Sequence, residues 1–152
     1  MDSIDTSILK LLQENSRISI SEISSQINLS ISAVSERLKK LESSGIIEQY
    51  TTIINPVKVG KLLTATMFLN LESPKYSEGF LQFIQSENEI IECYYLAGEY
   101  DYILKIITQN TFTLEALLKN IKSIRGVQKT RTIVALSTIK NIYSVKAEED
   151  NL

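Results

Sequence analysis

Residues 17–45, RISISEISSQINLSISAVSERLKKLESSG, read as two short amphipathic helices separated by a break of three to four residues. Ser19 and Glu22 stand at the S-x-x-E spacing of a capping box, which starts the first helix. Ile20, Ile23 and Ile27 follow at helical spacing. Asn28 stands where the chain must turn, and asparagine tolerates the left-handed conformation that ends a helix. Leu29 can plug the gap between the helices, and Ser30 or Ser32 can cap the second one. Ile31, Val34, Leu38 and Leu41 form the second helix's apolar stripe, expected to be buried, and Gly45 ends it. At about 100° per residue, Ser32, Ser35, Glu36, Lys39 and Lys40 fall on the other face, with Arg37 on the flank. Small polar residues followed by cations suit the major groove of duplex DNA. They also suit the solvated face of an ordinary helical hairpin, and spacing alone leaves both readings open.

Working outward, Ile4, Ile8, Leu11 and Leu12 predict an earlier helix over about residues 5–15, so three helices share one small core. Residues 46–54, IIEQYTTII, are rich in β-branched side chains and predict a strand or wing, which Asn55-Pro56 stops. From Leu62 the period changes to two: Leu63, Ala65, Met67, Leu69 and Leu71 alternate with Thr64, Thr66, Phe68 and Asn70. A helix over 76–86 follows, with Tyr76, Phe80, Phe83 and Ile84 on its stripe. Strands over 90–96 and 102–108 flank a hairpin turn, residues 97–101, in which Gly98 can take a positive φ. A helix over 113–123 and a strand over 127–136 complete a β-α-β-β-α-β order, an antiparallel sheet with two helices on one face. Residues 140–145 offer a further edge strand, and 146–152 read as a loose acidic tail. The domains expected are a helix-turn-helix unit over 1–55, a linker over 56–61, a ferredoxin-like unit over 62–145, and that tail. Leu63, Met67, Leu69, Tyr94, Tyr95 and Ile106 exceed what two short helices cover, which favours a homodimer made sheet to sheet.

Composition narrows the function classes. In 152 residues the hydrophobic fraction is 43% and the charged fraction 22%, as in a soluble globular protein. No apolar run approaches the ~20 residues of a membrane span, and no export segment is legible. The sole cysteine, Cys93, permits no intrachain disulfide and reads as strand packing, so a cytoplasmic setting is expected. The chain has no histidine, which with one cysteine removes nearly all transition-metal sites and the histidine-dependent nucleophilic triads. Its five glycines show no phosphate-loop spacing. No catalytic residue, metal or cofactor is expected. The net charge of −2 is unusual for a nucleic-acid binder. Residues 1–60 do not relieve it, with six cations (Lys10, Arg17, Arg37, Lys39, Lys40, Lys58) against seven carboxylates. DNA affinity must therefore come from local placement of a few cations, multiplied by oligomerisation.

Residues 5–54, with IDTSILKLLQENSRISISEISSQINLS and ERLKKLESSGIIEQYTTIINP, resemble the N-terminal domain of the Lrp/AsnC (feast/famine) transcription regulators. ECYYLAGEYDYILKI, then a helix, then GVQKTRTIVALSTIK resemble that family's regulatory (RAM) domain. The resemblance covers residues 1 to about 145. It implies an α+β chain with a winged-type helix-turn-helix of three helices and a ferredoxin-like βαββαβ domain that dimerises and senses a small molecule, commonly an amino acid. It further implies dimers that often assemble to octamers. Two positions depart from the family pattern: Asn28 replaces a common glycine, and Ile31 replaces a frequent proline.

The resemblance places an effector site at Gly98, Glu99, Tyr100 and Asp101, with Thr130 and Thr132 on one face of the last strand. Asp101 can answer an ammonium, and backbone amides near Gly98 and Tyr100 a carboxylate. The same residues also make a well-formed turn and a good strand. On the DNA side, Ser32, Ser35, Glu36 and Lys39 are expected to face bases, and Arg37 and Lys40 phosphates. A dimer then reads a roughly palindromic duplex. Two alternatives stay open: a metabolite-binding module without DNA, and an enzyme like the sirohaem decarboxylases, which resemble the same family but rely on histidine.

Overall fold

The computed structural model describes residues 1–148. It divides into two compact units: Met1–Ile53 together with the stretch from Asn141 onward, and Ile54–Lys140.

The first unit holds α1 (Ser3–Glu14), α2 (Ile20–Ile27) and α3 (Ile31–Ser43). Each starts where a side chain can satisfy orphan amides. Asp2 and Asp5 form a capping box on α1, Ser19 and Glu22 form another on α2, and the Ser30 hydroxyl accepts from the Ala33 amide on α3. Asn28 ends α2 in the left-handed conformation, at φ 54° and ψ 44°. Ile8, Ile23, Val34, Leu38 and Leu41 are buried at the centre, ringed by half-buried Leu11, Ile18, Leu29 and Ile47. Ile31, the first residue of α3, is not part of that core, and 56% of it is exposed.

Residues 46–55 form no strand. Their β-branched composition needs an adjacent strand to pair with, and the chain supplies none there. Tyr50 instead donates from its hydroxyl to Glu42 at 3.0 Å. Residues 140–145 also form no strand. The returning segment lies on α1, where the Gln13 amide group donates to the Val145 carbonyl at 2.6 Å and accepts from the Ala147 amide at 3.3 Å. Of the acidic tail expected over 146–152, residues 149–152 lie outside the described residues.

The second unit runs β1 (Leu63–Leu71), α4 (Ser77–Ser86), β2 (Ile90–Tyr95), β3 (Tyr102–Thr108), α5 (Thr111–Ser123) and β4 (Val127–Ala135). The sheet is antiparallel in the order β2-β3-β1-β4. Register sorts its faces: Ala65 pairs Ile106, Met67 pairs Leu104 and Leu69 pairs Tyr102 on the side that Phe80, Ile84, Leu114, Leu117 and Ile121 cover. This corrects the expected surplus, since Leu63, Met67, Leu69 and Ile106 all belong to the covered face. The uncovered face instead carries Phe68, Ile103, Ile107, Tyr94 and Ile133 among Thr64, Thr66, Lys105 and Arg131.

The base of this sheet holds a half-buried polar network. Lys61 reaches Glu89 at 2.6 Å, and Glu89 accepts from the fully buried Thr108 hydroxyl at 2.8 Å. Burial alone would push the Glu89 carboxyl up, but the Lys61 ammonium and the Thr108 hydroxyl outweigh it and hold it below its ordinary value. A carboxyl depressed by folding stabilises the fold above its unfolded value and loses that contribution as pH falls through the folded one. Glu89→Gln should therefore melt below the parent at pH 7, with the gap closing at pH 3; an equal gap at both pH values would contradict the pairing.

Gly45, Gly60 and Gly126 take positive φ, and at Gly126 the space for a side chain is closed as well. Gly126 has φ +90°, and a Cβ there would sit 2.3 Å from the Tyr76 ring. Gly98, contrary to the sequence expectation, does not adopt positive φ and faces open space. Gly126→Ala should cost about 1–3 kcal/mol in a denaturant melt, whereas Gly98→Ala should leave stability near the parent's.

Candidate nucleic-acid interface and ligand cavity

Helix α3 follows the short α2–α3 turn because Asn28 reverses the chain and the Ser24 hydroxyl donates to the Leu29 carbonyl. Its back is fixed by Val34, Leu38 and Leu41. Ser32, Glu36, Lys39 and Lys40 are exposed on the outer side, and Ser35 is half-buried. Among the described residues, no ion pair engages Lys39 or Lys40. The outer face thus offers hydroxyls and a carboxylate near its start and two free ammonium groups further on, a set able to meet base edges and phosphates.

Arg37, expected to meet phosphate, is paired within the first unit. Its Nη1 donates to Asp2 Oδ2 and to Asp5 Oδ1, both at 2.7 Å. The Asp5 side chain is only 12% exposed, so this end of the pair is partly shielded from solvent. Asp2 lies below the usual carboxylate range, held there first by the Asp5 amide and then by Arg37, and Arg37 in turn is pushed up by the two carboxylates. The same two aspartates cap α1, so one charge cluster joins the start of α1 to the middle of α3.

In the second unit, the six expected effector residues do not converge on one point. Asp101 lines a cavity of about 520 Å³ together with Ser73, Ser77, Cys93, Tyr95 and Leu81. Gly98, Glu99, Tyr100, Thr130 and Thr132 are not among the residues lining it. One Asp101 oxygen, Oδ2, already accepts from the Leu71 amide at 2.9 Å, which ties the 96–101 loop to the end of β1. Glu99 pairs with Lys129, and the Tyr100 ring lies 5.4 Å from Phe68 on the uncovered face. Thr130 and Thr132 pair with Leu69 and Met67 and are half-buried on the helix side.

Beside this loop, Asn70 donates to the Glu99 carbonyl at 2.9 Å, while its buried Oδ1 has no donor among the described residues. Burial pushes the Cys93 thiol up, so it lines the cavity as a neutral group rather than a nucleophile. Sequence reasoning missed Ser73, Ser77 and Tyr95, because a Ser-Pro break and a strand end carry no ligand signal of their own. Two larger open grooves, about 700 Å³ each, flank the returning segment of the first unit and are walled mostly by irregular chain.

Two family models match the chain. Residues 64–145 match the Lrp/AsnC ligand binding domain, and residues 1–48 match a winged helix-turn-helix DNA-binding family. The chain is 38% identical over 140 residues to the HTH-type transcriptional regulator FL11 of Pyrococcus abyssi, covering 92% of both chains. It is 37% identical to the transcriptional regulator AzlB of Bacillus subtilis, covering 98% of this chain and 97% of that one. The crystal structure of the regulator NMB0573 from Neisseria meningitidis in complex with L-Met superposes with a TM-score of 0.90 at 31% identity, covering 95% and 96% of the two chains.

The arrangement separates Lys40 from Arg37 experimentally. Lys40→Ala should lower the salt slope of DNA binding by about one unit. Arg37→Gln should leave the slope unchanged and lower the melting temperature, a loss that Asp5→Asn in the same chain should not deepen. A slope that falls with Arg37→Gln would put that guanidinium on a phosphate after all.

Proposed function

We propose that this chain, which belongs to the Lrp/AsnC family of transcriptional regulators, reads duplex DNA with the outer face of α3 and is tuned by an amino acid held in its second unit. It is a regulator rather than an enzyme, with a helix-turn-helix DNA-binding domain and a ligand-binding domain. The observation that carries the reading is the state of α3: its back is locked while Ser32, Glu36, Lys39 and Lys40 stand free in solvent. Ser32, Ser35, Glu36 and Lys39 face bases, Lys40 meets phosphate, and Arg37 braces α3 against α1.

The effector is an amino acid. A carboxylate from Asp101, two serine hydroxyls and an apolar wall from Leu81 and Tyr95 support that chemistry. The L-Met bound to the Neisseria meningitidis relative makes L-methionine the first compound to try. The orphan Oδ1 of Asn70, beside the Glu99 carbonyl, supports the Gly98, Glu99 and Tyr100 loop receiving a donor from a ligand or a second copy, while Thr130 and Thr132 would add hydroxyls from the helix side of the last strand.

The working form is a homodimer that assembles further to an octamer, acting in the cytoplasm on roughly palindromic sites. The uncovered sheet face, with Phe68, Ile103 and Tyr94, supports the dimer, as does an unpaired β-branched segment over 46–54. A net charge of −2 supports it too, because one copy has too few free cations to hold DNA alone.

Fluorescence anisotropy on duplexes selected from a random pool, with excess nonspecific competitor, tests the reading. Saturable binding that falls with salt and shifts with L-methionine or another free amino acid is expected. Asp101→Asn should abolish the shift while DNA binding persists. Amino-acid binding without any DNA preference would leave a metabolite-binding module instead.

A further inference from the structure

Ile31 is an anomaly on α3. Val34, Leu38 and Leu41 are at most 8% exposed, yet Ile31 on the same helix is 56% exposed. It is the first helical residue after the Ser30 cap. No acidic or basic residue occupies that first turn, and its neighbours Ser30 and Ser32 hydrogen-bond each other through their hydroxyls at 3.1 Å. A stiff, β-branched hydrocarbon therefore stands in solvent on a helical turn that carries no charge, with little rotamer freedom left to lose on contact.

When a helix-turn-helix docks, the N-terminal residues of its second helix lie nearest the base edges. The major groove presents donors and acceptors everywhere and one apolar group, the C5-methyl of thymine. We infer that Ile31 is a specificity-determining residue that packs on thymine methyl groups, one contact in each half of the bound site. The inference rests on α3 entering the major groove and adds what the hydroxyl, carboxylate and ammonium groups of that face cannot supply. Those polar groups distinguish hydrogen-bond patterns; Ile31 rewards a thymine at one fixed position.

The test uses the full chain and duplexes that the parent protein enriches from a random pool. Each thymine in turn is replaced by deoxyuridine, which keeps every hydrogen bond and removes only the methyl. Loss of one such contact should weaken the parent about fourfold. Ile31→Val should retain the preference for thymine at the sensitive position. Ile31→Ser loses the contact in both halves, so it should bind the thymine duplex as weakly as the parent binds a duplex with deoxyuridine at the sensitive position of both halves, and should not distinguish the two. Because Ile31 is exposed, both variants should melt with the parent, which a thermal scan checks.

An Ile31→Ser protein that keeps the parent's thymine-to-deoxyuridine ratio overturns the inference, as does the absence of any sensitive thymine. If either occurs while Lys39→Ala still weakens binding, α3 reads DNA without Ile31. If Lys39→Ala also has no effect, or no duplex is enriched, the reading of α3 fails and this inference fails with it.

Discussion

A helix can read a groove only if its back is held while its front stays free, and the first unit is built around that constraint. Val34, Leu38 and Leu41 anchor α3 in a core of five fully packed residues. Hydrocarbon burial is non-directional. The Arg37 pair supplies what hydrocarbon does not, because a guanidinium meeting two carboxylates at 2.7 Å fixes direction as well as distance. Asp2 and Asp5 are themselves fixed, since they cap α1 with the same side chains. Arg37 is engaged in this brace, whereas among the described residues no ion pair engages Lys39 or Lys40.

The second unit follows from a different constraint. In a β-α-β-β-α-β chain both crossovers fall on one side, so one sheet face is buried and the other is left to solvent or to another molecule. The covered face packs Met67, Leu69, Leu104 and Ile106 beneath two helices. The 96–101 loop is tied down from several directions: Asp101 to β1, Glu99 to Lys129, and Tyr100 to Phe68. A loop held at the end of the sheet by polar bonds is a place where a small ligand can compete for partners, and the neighbouring cavity gives it room.

Local signals were legible in the sequence and distant ones were not. Ser19, Glu22 and Asn28 act within a few residues of themselves, so spacing identified the cap and the turn that the structure contains. Period-two alternation likewise identified β1 and its buried side. Arg37 was read as a flank cation because its partners lie 32 and 35 residues away, a separation that no local pattern encodes. Ile31 lies on the apolar stripe by angle alone, yet as the first residue of α3 it is not part of the core. Residues 46–54 have strand composition without a strand beside them, and composition cannot reveal what a segment pairs with. The effector residues were legible as a loop and a strand, but the fold brings only Asp101 to the cavity. The serines opposite it carry no sequence signal.

On the proposed reading, α3 presents its outer face to duplex DNA while Arg37 stays turned toward α1. Amide hydrogen exchange along the full chain, with and without a selected duplex, tests it most directly. Exchange over residues 30–40 should slow on adding duplex. The start of α1, where Asp2 and Asp5 hold Arg37, should be equally protected before and after. Protection confined to residues 64–135, or loosening of the start of α1 when DNA binds, would contradict it.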